Sequence, residues 1–250
     1  MSDDGKRRGS KDIGELLAES PWAIQLREHD RRMIDDPAYA AEVEEREGRL
    51  RADEERRSRT EATESTRRRR ESLLGRGVPA KDIDAVLSGA LRATGPLASA
   101  RDWLASERTI LVLSGTRGVG KTTAAAWLAA EVDGSRFIDA AHLMRVDVYS
   151  NEEMNPLEQC PLLVMDELGG EYMDTKGKLL SLVDGLVNTR YAAKLRTVIT
   201  TNMPAEDHEE PKDVKKPGFK TRYGERVADR IREVGRFVEL SGASLRRGAR

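Results

Sequence analysis

Apolar positions split this sequence into two kinds of chain. Before residue 76 they are sparse, and Ile13, Leu16, Leu17, Trp22, Ile24 and Leu26 form their one cluster. Ser20–Pro21 reads as a helix start, with Ser20 at the N-cap and Pro21 at the first helical position. Asp36–Pro37 offers a second start. From Tyr39 to Glu71 the residues are nearly all Glu, Arg, Ala and Thr. Opposite charges recur four apart there, but no apolar stripe accompanies them. Such a segment forms a solvated helix or a mostly disordered arm. It lacks the heptad seam of a coiled coil.

From Arg76 onward, short apolar runs alternate with helical spacing. Gly77–Val78–Pro79 reads as a turn, and Ile83, Val86 and Leu87 predict a helix over 82–91. Gly95–Pro96 breaks it, and a short helix over 97–104 follows. Strands are predicted at 109–114, 136–139, 161–166, 197–201 and 236–240. Helices are predicted at 121–132, 178–191 and 223–233. This alternation argues an α/β fold with a parallel sheet covered by helices. Residues 205–220, rich in Glu, Lys and Pro, read as a mobile surface loop. The expected organisation is therefore an N-terminal arm, 1–75, and a globular domain, 76–250. No internal repeat is present.

Charge sharpens the division. Charged residues make up 35% of the 250 and hydrophobic ones 38%, a thin core for the length. Residues 1–75 carry 17 Lys/Arg and 19 Asp/Glu, against 26 and 25 in the remaining 175. The formal net charge is −1, so no global basic field steers nucleic acid, and any such contact needs a local patch. Arg67–Arg70 is one candidate for phosphate contact; it reads equally as a solvated cluster answering the acids before it. The single cysteine, Cys160, excludes a disulfide framework and any Cys-based zinc site, and reads as structural. His29, His142 and His208 have no partners at metal spacing. Trp103 and Trp127 are expected in the core. No apolar run is long enough to span a bilayer, and the N-terminus lacks the apolar stretch of a signal peptide. The expectation is a soluble, cytoplasmic protein with no membrane partner.

Residues 115–122, Gly-Thr-Arg-Gly-Val-Gly-Lys-Thr, fit the phosphate-loop pattern G-x-x-x-x-G-K-[ST], between the apolar run 110–113 and an Ala-rich helix. Glycines let backbone N–H groups wrap a phosphate, and the following helix presents free N–H groups and its positive dipole end. Gly115, Thr116, Gly118, Val119, Gly120, Lys121, Thr122 and Thr123 are the candidate nucleotide-binding residues. Lys121 would neutralise the β- and γ-phosphates, and Thr122 would ligate Mg²⁺. ATP and Mg²⁺ are the expected cofactors.

The apolar run 161–165 ends in Asp166–Glu167, two acids at the mouth of a parallel sheet. Asp166 is the candidate for holding Mg²⁺. Glu167 is the candidate general base, or orients the attacking water. A β-branched run ends at Asn202, which could hydrogen-bond that water; Thr201 rivals it, and Asn202 also reads as a turn initiator. Arg226 and Arg230 lie four apart on one helix face, placed either to reach a neighbour's γ-phosphate or to pair with Glu225, Asp229 and Glu233. Arg246 follows a candidate N-cap, Ser244, and could swing onto the nucleotide; it also reads as part of a frayed basic end.

Taken in order, these motifs resemble the AAA+ ATPases, and within them the DnaC-type helicase loaders and the IstB-type transposition helpers. The likeness runs from about Leu73 to Arg247. Residues 114–122 are similar to the family's Walker A segment and 162–167 to its Walker B. Residues 188–191 followed by 197–202 resemble the helix leading into the sensor 1 strand. Residues 224–230 are similar to the arginine-finger box, which makes Arg230 the first candidate finger and Arg226 the second. Ser244–Leu245–Arg246 resembles the Ser-Tyr-Arg of these proteins, with Arg246 as sensor 2. The resemblance implies a P-loop sheet of order 5-1-4-3-2 with a minimal lid. It implies an ATPase with a site shared between self-associated subunits. It implies single-stranded DNA and a hexameric replicative DNA helicase as partners. The IstB-like alternative implies duplex DNA and a transposase. A third reading is an adaptor that uses ATP chiefly as assembly glue. The arm 1–75 matches no family N-terminal domain, and 205–220 is longer than the family's usual loop.

Overall fold

A computed structural model describes residues 20–91, 93–169, 177–209 and 215–245. Arg246, the sensor 2 candidate, lies outside the described residues. Contacts divide the chain into two units, Met1–Ser65 and Thr66–Arg250.

Of the two forms open to the arm, its described residues take the helical one. Helix α1 spans Pro21–Asp35 and α2 spans Pro37–Gly75. Both begin at a proline, whose fixed φ suits the first turn and whose missing N–H costs nothing there. Asp36 caps α2, its Oδ1 accepting from the N–H groups of Ala38 (3.0 Å) and Tyr39 (3.1 Å). No residue of either helix is buried before Leu73. The i,i+4 pairs Glu45–Arg49 and Glu47–Arg51 are well exposed and add only a few tenths of a kcal/mol each.

The second unit begins inside α2. Leu73 is fully buried, and Arg76 donates to the carbonyls of Ala129 and Val132. The last turns of α2, which composition groups with the arm, thus pack on the globular unit. Helix α3 covers Ala80–Leu87, shorter than the predicted 82–91. Gly95–Pro96, expected to break a helix, instead opens α4, Gly95–Leu104; Thr94 caps it, its Oγ1 accepting from Leu97 N at 3.3 Å. Then follow β1 (Ile110–Gly115), α5 (Lys121–Glu131), β2 (Arg136–Asp139), α6 (Ala140–Leu143), α7 (Asn151–Gln159) and β3 (Leu162–Leu168). The order continues with α8 (Lys178–Ala192) and β4 (Arg196–Thr201). After a two-residue antiparallel pairing of 208–209 with 215–216 come α9 (Phe219–Tyr223), α10 (Glu225–Val234) and β5 (Gly235–Leu240).

All five strands are parallel, in the order β2-β3-β4-β1-β5. Read from the other edge this is 5-1-4-3-2, as the resemblance implies. The period of two sorts the strand residues between the two faces. On one face Ile110, Val112, Leu163, Met165 and Ile199 pack with Leu179, Leu182, Val183 and Leu186 of α8. On the other, Leu111, Leu113, Leu162, Val164 and Val198 meet the alanines of α5 and Ile83, Ala100 and Trp103. Trp127 is only partly buried there. Arg190, fully buried in α8, donates to the carbonyls of Leu157 (2.8 Å) and Cys160 (3.0 Å) and to Thr197 Oγ1 (3.0 Å). It ties the starts of β3 and β4 together. Burial pushes the Cys160 thiol up, although the Arg190 guanidinium opposes this.

Of the stretch predicted as a mobile loop at 205–220, residues 210–214 lie outside the described residues, and the described flanks are held in place. Ala205 N donates to Glu239 Oε1 (2.7 Å) and Gly218 N to Asp207 Oδ1 (2.8 Å). Phe219 is buried against Tyr223 and Phe237.

Candidate nucleotide site

The loop between β1 and α5 leaves the sheet at its C-terminal edge, beside the ends of β3 and β4. Two of its glycines, Gly115 and Gly118, are required by space as well as by φ, whereas Gly120 is required by φ alone. Gly115 (φ +143°) would place a Cβ 2.1 Å from the Leu240 carbonyl oxygen, and Gly118 (φ +86°) would place one 2.2 Å from Ser244 Oγ. The segment after β5 therefore crosses directly over the loop, and Leu245 N donates to Gly118 O at 2.9 Å.

Lys121 opens α5 and is 8% exposed. Its Nζ donates to Gly115 O (2.7 Å), Thr116 O (2.9 Å) and Asn202 Oδ1 (2.9 Å). These neutral acceptors occupy an ammonium whose positive charge suits an anion. One residue on, Thr122 Oγ1 donates to Asp166 Oδ1 at 3.1 Å. Asp166 is 4% exposed at the end of β3, and Thr200 Oγ1 donates to the same oxygen. Burial raises the Asp166 carboxyl to about 6, against the hydroxyls of Thr200 and Thr122, which lower it; the charge of Glu167 adds to the rise. A buried carboxylate with a threonine hydroxyl against it fits a small hard cation: Thr122 and Asp166 would hold Mg²⁺ with one carboxylate, leaving room for phosphate oxygens.

Glu167 turns away from the strand. Between β3 and β4 the pairing passes from Met165–Ile199 to Leu168–Thr201, so β3 carries one extra residue at Asp166–Glu167. This bulge holds Glu167 at φ +59°, in the left-handed region. Its amide is fixed by donating to Thr200 Oγ1 at 3.0 Å. A bulge of this kind aims a side chain off the sheet, and Glu167 lines a cavity of about 590 Å³ together with Gly118, Gly120, Lys121, Thr122 and Asn202. Thr201, the rival to Asn202, spends its hydroxyl oxygen on Met203 N at 3.0 Å. A smaller cavity of about 190 Å³ adjoins the first, lined by Ala85, Leu91, Leu97 and Ala124 among others.

No protein-family profile and no curated protein matches this chain. Among solved structures it is similar to the DnaC helicase loader, at 23% identity over 58% of this chain and 87% of that one, with a TM-score of 0.44. It is similar to DnaI at 21% identity over 58% and 83% of the two chains, TM-score 0.44. A primosome component from Streptococcus pyogenes serotype M3 aligns at 20% identity over 70% and 98%, TM-score 0.45. The strand order and the loop after β1 decide the architecture. The second unit is a parallel α/β sheet of order 5-1-4-3-2 with a phosphate-loop sequence after its first strand.

Gly115, Thr116, Val119 and Asp166 border the loop without lining the cavity, and the two predicted arginines of α10 stand apart from it. Arg226 binds both carboxylate oxygens of Asp184, with Nε at 2.9 Å. Arg230 donates to Asn188 Oδ1 from Nε (3.1 Å) and Nη2 (2.6 Å) and lies over the Tyr191 ring. Both are tied to α8, not to the acids of their own helix as one reading expected. Arg232 takes those acids instead, pairing with Glu225 and Asp229. Sequence reasoning passed over Thr200, whose hydroxyl joins Asp166 to the Glu167 amide, and Asp82, a buried carboxylate beside the loop. Alternation along β4 carried a signal for Thr200: counted by twos from Val198, it faces the side of the strand opposite Thr201.

Proposed function

We propose that this chain is an ATPase of the replicative helicase-loader kind. In this reading ATP–Mg²⁺ binds at the loop after β1, subunits associate around it, and the assembly grips single-stranded DNA and delivers a hexameric helicase. The observation that carries the chemical part is the convergence of Lys121, Thr122, Asp166 and Asn202 beside an open cavity lined by Glu167. The resemblance of the ordered motifs supports the loader part. The near-neutral charge of the arm gives it slight support over a duplex-binding transposition helper, which would carry more basic surface.

The residues divide the work as follows. Loop amides and the N-terminus of α5 receive the phosphates, and Lys121 exchanges its carbonyl partners for phosphate oxygens. Mg²⁺ would supply charge neutralisation for the β- and γ-phosphates, held by Thr122 and Asp166. Glu167 accepts a proton from, or aligns, the water that attacks the γ-phosphorus, and Asn202 fixes that water from the end of β4. Arg230, with Arg226 second, reaches across to a neighbour's nucleotide once its tie to α8 is broken. Arg246 is assigned to the subunit's own nucleotide. Hydrolysis then resets the complex.

The test is turnover and partner together. Purified protein should hydrolyse ATP, faster on self-association or with DNA, and Glu167→Gln should bind ATP without turning it over. That variant, mixed with the replicative helicase of its own host, should form an ATP-dependent complex lost on deletion of 1–65. Tight ATP binding with no turnover in the unaltered chain would make it an adaptor. A complex with a transposase on duplex DNA, and none with the helicase, would make it a transposition helper.

A further inference from the structure

Asp82 lies in α3, 5% exposed, outside every motif described above. One of its carboxylate oxygens, Oδ1, accepts from Thr123 Oγ1 at 2.7 Å. The other, Oδ2, is buried with no hydrogen-bond partner. Three buried side-chain atoms are in that state among the described residues, the others being Arg76 Nε and Trp103 Nε1. Asp82 alone of the three lines the large cavity. A buried, half-satisfied carboxylate is expensive, and the cost is recovered only when a donor arrives.

The chemistry of the neighbourhood selects that donor. A carboxylate oxygen repels phosphate oxygens, so Oδ2 suits a hydroxyl or amino donor of the nucleoside rather than the phosphates. Position narrows it further. The phosphate end of the cavity is marked by Lys121 and Thr122. The small apolar cavity, walled by Ala90, Leu91 and Leu97, suits a flat base, and Asp82 is not part of it. The two cavities share Ala85, Gly120, Thr123 and Leu245. Asp82 sits at this junction, bonded to Thr123 and one helical turn from Ala85, where a nucleotide carries its sugar.

We propose that Asp82 reads the ribose, its Oδ2 accepting a hydrogen bond from a 2′- or 3′-hydroxyl, so that the site selects ribonucleotides over deoxyribonucleotides. Carboxylates bound to sugar hydroxyls do this in dinucleotide-binding folds. The inference rests on the nucleotide reading of the site and adds the ligand feature that this reading leaves open.

The experiment measures Kd for ATP, 2′-deoxy-ATP, 3′-deoxy-ATP and inosine triphosphate with Mg²⁺, on the full chain and on Asp82→Ala and Asp82→Asn. The unaltered chain should prefer ATP over at least one deoxy analogue by about tenfold or more, as for a hydroxyl bonded to a charged acceptor. Asp82→Ala should weaken ATP to the level of that analogue and leave the analogue's own affinity unchanged. Damage to the fold would instead weaken all four ligands together. Asp82→Asn keeps the size and the tie to Thr123, and should cut the preference several-fold. ATP binding that needs Lys121 but shows equal affinity for both deoxy analogues would overturn the ribose assignment and leave the nucleotide site standing. Loss of preference over inosine triphosphate, and not over the deoxy forms, would place the base amino group at Asp82 and also overturn it. No ATP binding at all would overturn both readings.

Discussion

Lys121 Nζ donates to Asn202 Oδ1 across 2.9 Å, joining the start of α5 to the residue just past β4. The contact links the cation proposed to meet the phosphates to the group proposed to hold the attacking water. The two side chains should nonetheless separate cleanly in kinetics. In the proposed reaction Lys121 meets the phosphates in ground state and transition state alike, so Lys121→Ala should abolish measurable ATP binding. Asn202, in that proposed reaction, meets the attacking water and not the nucleotide, so Asn202→Ala should leave ATP affinity within about threefold and lower single-turnover hydrolysis by about 10²-fold, the usual loss for one transition-state hydrogen bond. Equal losses in affinity and rate on Asn202→Ala would make its bond to Lys121 the whole of its role.

Glu167 holds a left-handed conformation that a non-glycine residue adopts at a cost of about 1 kcal/mol or more. Glu167→Gln keeps the strain and removes the charge. Glu167→Gly removes both, although it adds freedom to the unfolded chain, which offsets part of the gain. Both variants should lose hydrolysis while binding ATP. Glu167→Gly alone should leave stability equal or higher, by up to about 1 kcal/mol in urea unfolding. A clear destabilisation by glycine would mean that the side chain, not the chemistry, sustains the bulge.

Asp166 gives a pH dependence of definite sign. Its carboxyl is raised by burial from 3.8 to about 6, so between those values the native state holds more protons than the unfolded state. Stability from this group is therefore full below about pH 4 and falls as pH rises through 6, by on the order of 3 kcal/mol in total. Asp166→Asn keeps an acceptor for the hydroxyls of Thr122 and Thr200 and removes the buried charge. At pH 7.5, without metal, it should melt several degrees higher than the unaltered chain, and the gap should narrow as pH falls through 6. Mg²⁺-dependent turnover should vanish in the same variant. A lower melting temperature at pH 7.5 would show that the ionised carboxylate is stabilised by its surroundings.

Much of this site can be read directly from residue order. The strands are apolar runs with punctuated ends; Asp166 and Asn202 sit at two of those ends, and Lys121 and Thr122 open the helix that follows the glycine loop after a third. What escaped reading depends on partners far away in the chain. The bulge at Asp166–Glu167 exists only in the register of β3 against β4, which no single run encodes. Asp82 occupies an ordinary polar position of a short helix and is buried because α5 packs over it. Helix α6 is four residues long and α7 contains Pro156, so neither has a period long enough to detect. A local signal did exist for α6, since Asp139 caps it through His142 N at 2.8 Å. Gly95–Pro96 was ambiguous in kind, because proline ends one helix and begins another with the same geometry.

The arginines carry the last prediction. Arg226 and Arg230 share a face of α10, yet their ties differ: Arg226 meets a carboxylate, Asp184, whereas Arg230 meets a neutral amide, Asn188, and an aromatic face, Tyr191. A guanidinium bound to an amide leaves for a phosphate more readily than one already paired with a carboxylate. Arg230 should therefore be the group delivered to a neighbouring subunit. Turnover per subunit in the unaltered chain should rise with protein concentration as assemblies form. Arg230→Ala should abolish that rise, a loss on the order of 10³-fold in the assembled state, with ATP affinity of the isolated chain unchanged. Arg226→Ala should stay within about threefold. The reverse ranking would give the role to Arg226, and a silent outcome for both, with turnover independent of concentration, would place the complete site within one subunit.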